Sequence, residues 1–297
     1  MAEETKIERM HLGLPMWGFK DWVGSLYTRD AKPRDFLSQY ARVWNAVEGN
    51  TTFYSLPDQE TVERWSEETP AHFRFCFKLP REITHEKLLA EAELETGRFL
   101  GRLEPLGERL GPFMVQLPPS FGPERLAVLD RFLAALPRDF RFAVEVRHRG
   151  FFESEALGRL DEVLAERGAE RVVLDTRAMR SGDQDHPDVE AARHKKPNLP
   201  VHPVALGPTP VLRFIGHPEL AVDEPWLERW SEIIGSWLED GKIPYLFAHT
   251  PVNTQAPSLA RRWHELLRER AEVDLGEIPP WPGEEAVEAS GQLRFDF

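Results

Sequence analysis

The feature that most limits what this chain can fold into is a repeated alternation of short apolar runs with longer segments of helical spacing. The apolar runs lie at 10–17, 45–49, 72–79, 113–117, 142–147, 171–176, 211–216 and 243–249. Short runs of this kind, bounded by turn residues, read as strands. The segments between them read as helices. Residues 32–44 place Phe36, Leu37, Tyr40 and Val43 on one face behind Pro33, and 57–68 opens on Asp58, a good N-cap. Further helices are expected near 91–106, over 123–136, and over 154–168, where Ser154 starts the segment and Gly168 follows its end. The segment 224–241 carries Trp226, Trp230, Ile233, Ile234 and Trp237 at helical spacing, and 256–272 closes the series. Alternating β and α elements call for a parallel sheet covered by helices. Eight such units in roughly 270 residues fit a closed (β/α)8 TIM barrel better than an open sheet. The expected organisation is one barrel domain over 1–275, with a long Pro- and His-containing loop at 179–209 after strand 6. An acidic, Pro-rich tail is expected over 276–297.

Composition narrows the function classes. The net charge of −13 repels nucleic-acid backbones at long range, which argues against binding nucleic acid through surface charge. The single cysteine, Cys76, cannot build a disulfide framework within the chain or a Cys-based metal site by itself. No apolar run approaches the ~20 residues of a membrane span. The charged start MAEETKIERM lacks the apolar stretch of a signal peptide, so a cytoplasmic location is expected. Neither a GxGxxG nor a GxxxxGK[ST] pattern follows the first strand, which removes the dinucleotide and P-loop readings.

In a barrel of this kind the C-terminal strand ends carry the chemistry. Here those ends hold Trp17, Glu48, Asn50, Lys78, Gln116, Glu145, Arg147, His148, Asp175, Arg213 and His249. Each alone has a structural explanation: a carboxylate can pair with an Arg across the mouth, and a Gln can satisfy backbone groups. Strand after strand ending in a polar group is harder to explain that way, because a buried ion costs several kcal/mol unless it is paired. The expected roles are acid/base work for Glu48, Glu145, Asp175 and His148. Substrate contacts are expected from Trp17, Asn50, Tyr54, Lys78, Gln116, Arg147, Arg213 and His249. Lys and Arg together favour a small anionic substrate, phosphate- or sugar-containing. No cofactor is expected and no residue is given a metal role. A divalent metal on the carboxylates and histidines stands as the alternative, opposed by the neighbouring cations.

Several blocks together resemble the DUF72 (YecE-like) family: GLPMWGFKDWVGSLY, VEGNTTFYSLP, TPAHFRFCFKLPREITH, LGPFMVQLPPSF, FAVEVRHRGFF, VVLD and VLRFIG. They occur in the family's order over about 11–270. The resemblance implies a TIM barrel and no established activity. By this likeness Glu48, Asn50, Thr52, Phe53 and Tyr54 fall on one family motif, Lys78, Thr84 and His85 on another, and Gln116 on a third. Glu145, Arg147 and His148 fall on a fourth, with Asp175 and Arg213 on the next two strands. The family often ends strand 8 in two Asn, whereas this chain has FAHTPVN, with His249 at or beside that place and Asn253 beyond it. The family's fold has been compared with the xylose isomerase and endonuclease IV barrels, which use divalent metals, a fold-level analogy beside the metal alternative.

The last residues, QLRFDF, have a Gln followed by spaced apolar groups at Gln292, Leu293, Phe295 and Phe297. That pattern is similar to short motifs that bind bacterial sliding clamps. It gives a second, non-enzymatic expectation: a DNA-maintenance binding protein recruited through this tail.

Overall fold

The computed structural model describes residues 7–286. Its strands are β1 (His11–Leu14), β2 (Ala46–Gly49), β3 (Arg74–Phe77), β4 (Phe113–Gln116), β5 (Phe142–Glu145), β6 (Glu170–Asp175), β7 (Val211–Ile215) and β8 (Tyr245–His249). All pair in parallel, in the order β3-β2-β1-β8-β7-β6-β5-β4. The two ends of that order, β3 and β4, meet through single bridges at Phe75 with Leu110 and Lys78 with Met114. Backbone bonds from Gly111 N to Phe75 O (2.9 Å) and from Leu79 N to Met114 O (3.0 Å) complete the seam. The sheet therefore closes into a (β/α)8 TIM barrel, as the alternation required.

The helices are α1 (Phe36–Val43), α2 (Gln59–Glu67), α3 (Glu93–Leu103), α4 (Leu126–Ala135), α5 (Ser154–Glu166), α6 (Pro187–Arg193), α7 (Leu220–Glu239) and α8 (Ala256–Arg270). Asp58 caps α2 by accepting from Thr61 N at 2.8 Å. Two differences from the sequence reading stand out. The 179–209 stretch is not all loop, since α6 forms inside it with Pro187 in its first turn and His186 accepting from Asp188 N. Helix α7 starts four residues before the expected 224, with Pro225 inside its first turns.

Two apolar layers hold the barrel. Between strands and helices lies the larger one, including Trp44, Phe73, Phe75, Phe77, Trp230 and Trp263. Inside the barrel Ala46, Cys76, Met114, Ala143, Val172, Val211, Tyr245 and Phe247 fill the lumen, with Phe247 one level above Tyr245 on β8. Strand side chains alternate faces, so the residue two positions after the last of these on each strand also points inward, one level closer to the C-terminal mouth. That rule places Glu48, Lys78, Gln116, Glu145, Arg213 and His249 above this layer. It places Leu174, and not Asp175, at the same level on β6.

The segment after α8 folds back onto the barrel instead of leaving it. Trp281 is 7% exposed, and the Arg261 guanidinium stacks 3.6 Å from its ring centroid. Arg261 also pairs with Glu284 through both terminal nitrogens (2.8 and 2.9 Å), and Arg42 of α1 reaches Glu285 at 2.9 Å. The Pro- and Glu-rich composition of 276–286 conceals this docking, because one Trp and two acidic residues carry it. The clamp-like residues Gln292, Leu293, Phe295 and Phe297 lie outside the described residues. Among the described residues, no helix is long and apolar enough to cross a membrane.

Candidate functional site

Arg213 is the hub of the mouth. From β7 its Nε and one terminal nitrogen grip both oxygens of Glu48 on β2, at 2.6 and 3.0 Å. Its other terminal nitrogen donates to Glu145 on β5 at 2.5 Å. Arg147, just past β5, closes the far side by donating to Glu145 (2.7 Å) and to Gln116 Oε1 on β4 (2.8 Å). His249 on β8 shares a 2.9 Å bond with Glu48, and Asn50 donates to Glu48 (3.0 Å) and to Pro15 O (2.8 Å). A carboxylate only accepts, so His249 is the donor there, through Nε2–H. Five strands thus contribute to one buried network.

The local sequence explains how β2 delivers its pair. Gly49 separates Glu48 from Asn50 on the outward face, where a Cβ would stand 2.1 Å from Phe77 Cδ1. Phe77 cannot yield easily, being stacked on Phe75 and Trp65. Thr52 then ties the turn to β3 by donating to Lys78 O at 2.7 Å.

Electrostatics sets the protonation states. Burial would raise the Glu48 carboxyl, but Arg213 and then His249 outweigh it and hold it well below the usual carboxylate range. Glu145 is driven the same way, burial opposing and Arg213 and Arg147 prevailing, to about 2. Burial lowers His249 to about 4, so it is neutral at pH 7. With His249 neutral, Arg213 is the partner that keeps Glu48 ionised. Two carboxylates and two guanidiniums therefore cancel in charge. Acid catalysis by Glu48 or Glu145, expected from the sequence, would need a protonated form that this pairing disfavours.

Two amines are left over. Lys78, 8% exposed on the inward face past β3, has no hydrogen bond or ion pair at Nζ among the described residues, only the Phe53 ring 5.8 Å away. Burial and then Arg213 lower it to about 7. Lys196 comes from the long segment after β6 and is half-buried, with no hydrogen bond or ion pair at Nζ among the described residues. Thr176, just past β6, donates to Pro197 O at 3.0 Å and so holds the neighbouring Lys196 at the C-terminal end of the strand. Burial and then Arg213 lower the Lys196 amine to about 8. Its backbone is fixed by Arg180, which donates to Lys196 O at 2.7 Å. Sequence reading missed Lys196, because it sits in a non-periodic segment where no strand parity points it anywhere. The mouth also holds a buried acceptor without a partner among the described residues, Asn50 Oδ1.

The remaining expected residues lie elsewhere. Asp175 has the outward parity and serves the strand–helix layer, accepting from Trp230 Nε1 (2.8 Å) and pairing with Arg177 (2.7 Å). The Trp17 ring packs edge-on against Trp65 and Phe75. His148 accepts from Gly150 N at 3.0 Å and so shapes its own turn. Tyr54 is 80% exposed beside Phe53, on the lip of a cleft with Pro80, Arg81 and Arg98. His85, held at about 4 by burial and Arg81, lies against Phe53.

No three His, Cys, Asp or Glu side chains come together as metal ligands among the described residues. The oxygens of Glu48 and Glu145 are already occupied by guanidinium, imidazole and amide donors, so the donor set does not fit a divalent cation.

Comparison with known proteins gives one answer. The family model described as "Protein of unknown function DUF72" matches residues 11–284. The UPF0759 protein YecE of Escherichia coli K12 is 38% identical over 279 residues, which is 94% of this chain and 99% of that protein. A crystal structure of a DUF72 family protein from Thermotoga maritima superposes with a TM-score of 0.68 at 25% identity, covering 87% of this chain and 99% of that one. A DUF72 family protein from Enterococcus faecalis V583, at 21% identity and a TM-score of 0.66, covers 91% and 98% and shares the fold.

Proposed function

Since the chain belongs to the DUF72 family, whose name carries no activity, we propose from the mouth itself that this protein binds a small hydroxylated anion, phosphate- or carboxylate-bearing, and acts on it there. The supporting observation is the surplus of two amines, Lys78 and Lys196, over a network whose other charges already cancel. A buried cation without a counter-ion is unfavourable alone, and an anionic ligand would relieve it. Asn50 Oδ1 adds an acceptor suited to a ligand hydroxyl. Glu48, Glu145, Arg213 and Arg147 form a mutually paired floor for the site. Lys78, titrating near 7, is the group suited to moving a proton at neutral pH.

Calorimetry with inorganic sulfate tests this, since sulfate keeps a constant charge across the range used. The anion requires the ammonium forms, so binding is expected at pH 6 and falls as pH rises through about 7 and 8. Lys78→Met and Lys196→Met should each weaken it by about tenfold or more, the worth of one charge-assisted hydrogen bond. Absent binding, or binding indifferent to both substitutions, contradicts the proposal.

A further inference from the structure

The backbone of Lys78 is firmly held, although its Nζ has no hydrogen bond or ion pair among the described residues. Its N donates to Gly49 O at 3.3 Å, its O accepts from Thr52, and its pairing with Met114 helps close the barrel. The side chain rises above the apolar Cys76 into the mouth, where the Phe53 face covers it. The carboxylates that would ordinarily neutralise it are committed elsewhere: Glu48 to Arg213, His249 and Asn50, and Glu145 to Arg213 and Arg147. A buried primary amine on a fixed backbone, without an ion pair among the described residues, is suited to act as a nucleophile. Lys196, held at the C-terminal end of β6 through Pro197 O and its own carbonyl, has no hydrogen bond or ion pair at Nζ among the described residues and is the group for the anionic end of a ligand.

We infer that Lys78 forms a Schiff base with an anionic aldehyde or ketone, the mouth holding the anionic arm through Lys196. This rests on the anion-binding proposal above and names the substrate class within it. In the step, the neutral Nζ adds to the carbonyl carbon to give a carbinolamine, which then loses water. Counted from the ammonium, Nζ gives two hydrogens to the former carbonyl oxygen, which leaves as H2O. One hydrogen stays on the nitrogen with the positive charge, so atoms and charge balance without an oxidant or reductant. The iminium carries the same single positive charge as the ammonium form of Lys78, so the paired floor beneath it need not reorganise. Its positive nitrogen then draws electrons from an adjacent C–H or C–C bond, the use to which such an adduct is put.

Reductive trapping tests this on the full chain. The protein is incubated at pH 7.5 with glycolaldehyde phosphate and sodium cyanoborohydride, digested, and mapped by mass spectrometry. At that pH a lysine titrating near 7 has a neutral fraction about 10²–10³ times that of an ordinary one. The reduced adduct is therefore expected on Lys78 in at least about tenfold excess over the exposed Lys20 and Lys32. Lys196→Met should slow the labelling, and unfolding in urea should erase the selectivity. Because the wild-type map alone gives the answer, the proposal does not depend on any variant folding. Labelling spread as in the unfolded chain overturns it. Sulfate binding without a Lys78 adduct overturns the Schiff base and leaves the anion site standing, whereas a Lys78 adduct without sulfate binding overturns the anion site.

Discussion

Arg213 carries the heaviest single burden in the molecule. It is 4% exposed, serves two ionised carboxylates from opposite sides of the barrel, and is itself raised further above its ordinary value by them, against the opposing effect of burial. Removing one partner of a buried ion network leaves uncompensated charge, so Arg213→Met should lower stability by about 3–5 kcal/mol in urea unfolding. A loss under about 1 kcal/mol would mean that the mouth is wetter than its geometry implies. Most of this network was legible in the sequence, because period-two alternation on apolar strands points Glu48, Lys78, Gln116, Glu145, Arg213 and His249 into the mouth. The same rule, applied from Val172, separates Asp175 from them. The apolar run around it hides this, since β6 has buried positions on both faces and offers no polar–apolar contrast. Lys196 could not have been read at all, because only the fold of the segment after β6 brings it over the mouth.

Elements meet at Asp175, which joins the end of β6 to α7. It accepts from Trp230 in the helix and from Arg177, whose guanidinium in turn stacks 4.7 Å from the Trp226 ring. Asp175→Asn keeps one oxygen acceptor but loses the charge pair, so a loss of about 1–3 kcal/mol is expected, read as a lower urea midpoint. Sulfate affinity should be unchanged, because Asp175 faces away from the mouth. A variant that binds no sulfate while still folded would put Asp175 back among the site residues. The helices themselves follow from apolar spacing and caps, as at Asp58. The exceptions are α6, which is only seven residues long with little periodicity to see, and the early start of α7 before an internal Pro.

At the scale of the whole molecule, residues beyond the last helix join the apolar layer around the barrel. Trp281 is sandwiched beneath Arg261, and Trp281→Ala should cost about 3–5 kcal/mol, the usual range for a large buried aromatic. A variant with an unchanged urea midpoint would show that 276–286 merely rests on the surface. The chain as a whole carries −13, so any excess of positive charge in the mouth is local and directional. That local excess is the central claim, and lysine-selective NMR measures it most directly. With 13C and 15N label in the lysines, the Lys78 and Lys196 side-chain signals are followed against pH, with and without sulfate. Apparent pKa values near 7 and 8, both moving upward when sulfate is added because the anion favours the ammonium form, are the expected result. Two lysines titrating at the ordinary value of 10.5, unmoved by sulfate, would contradict it.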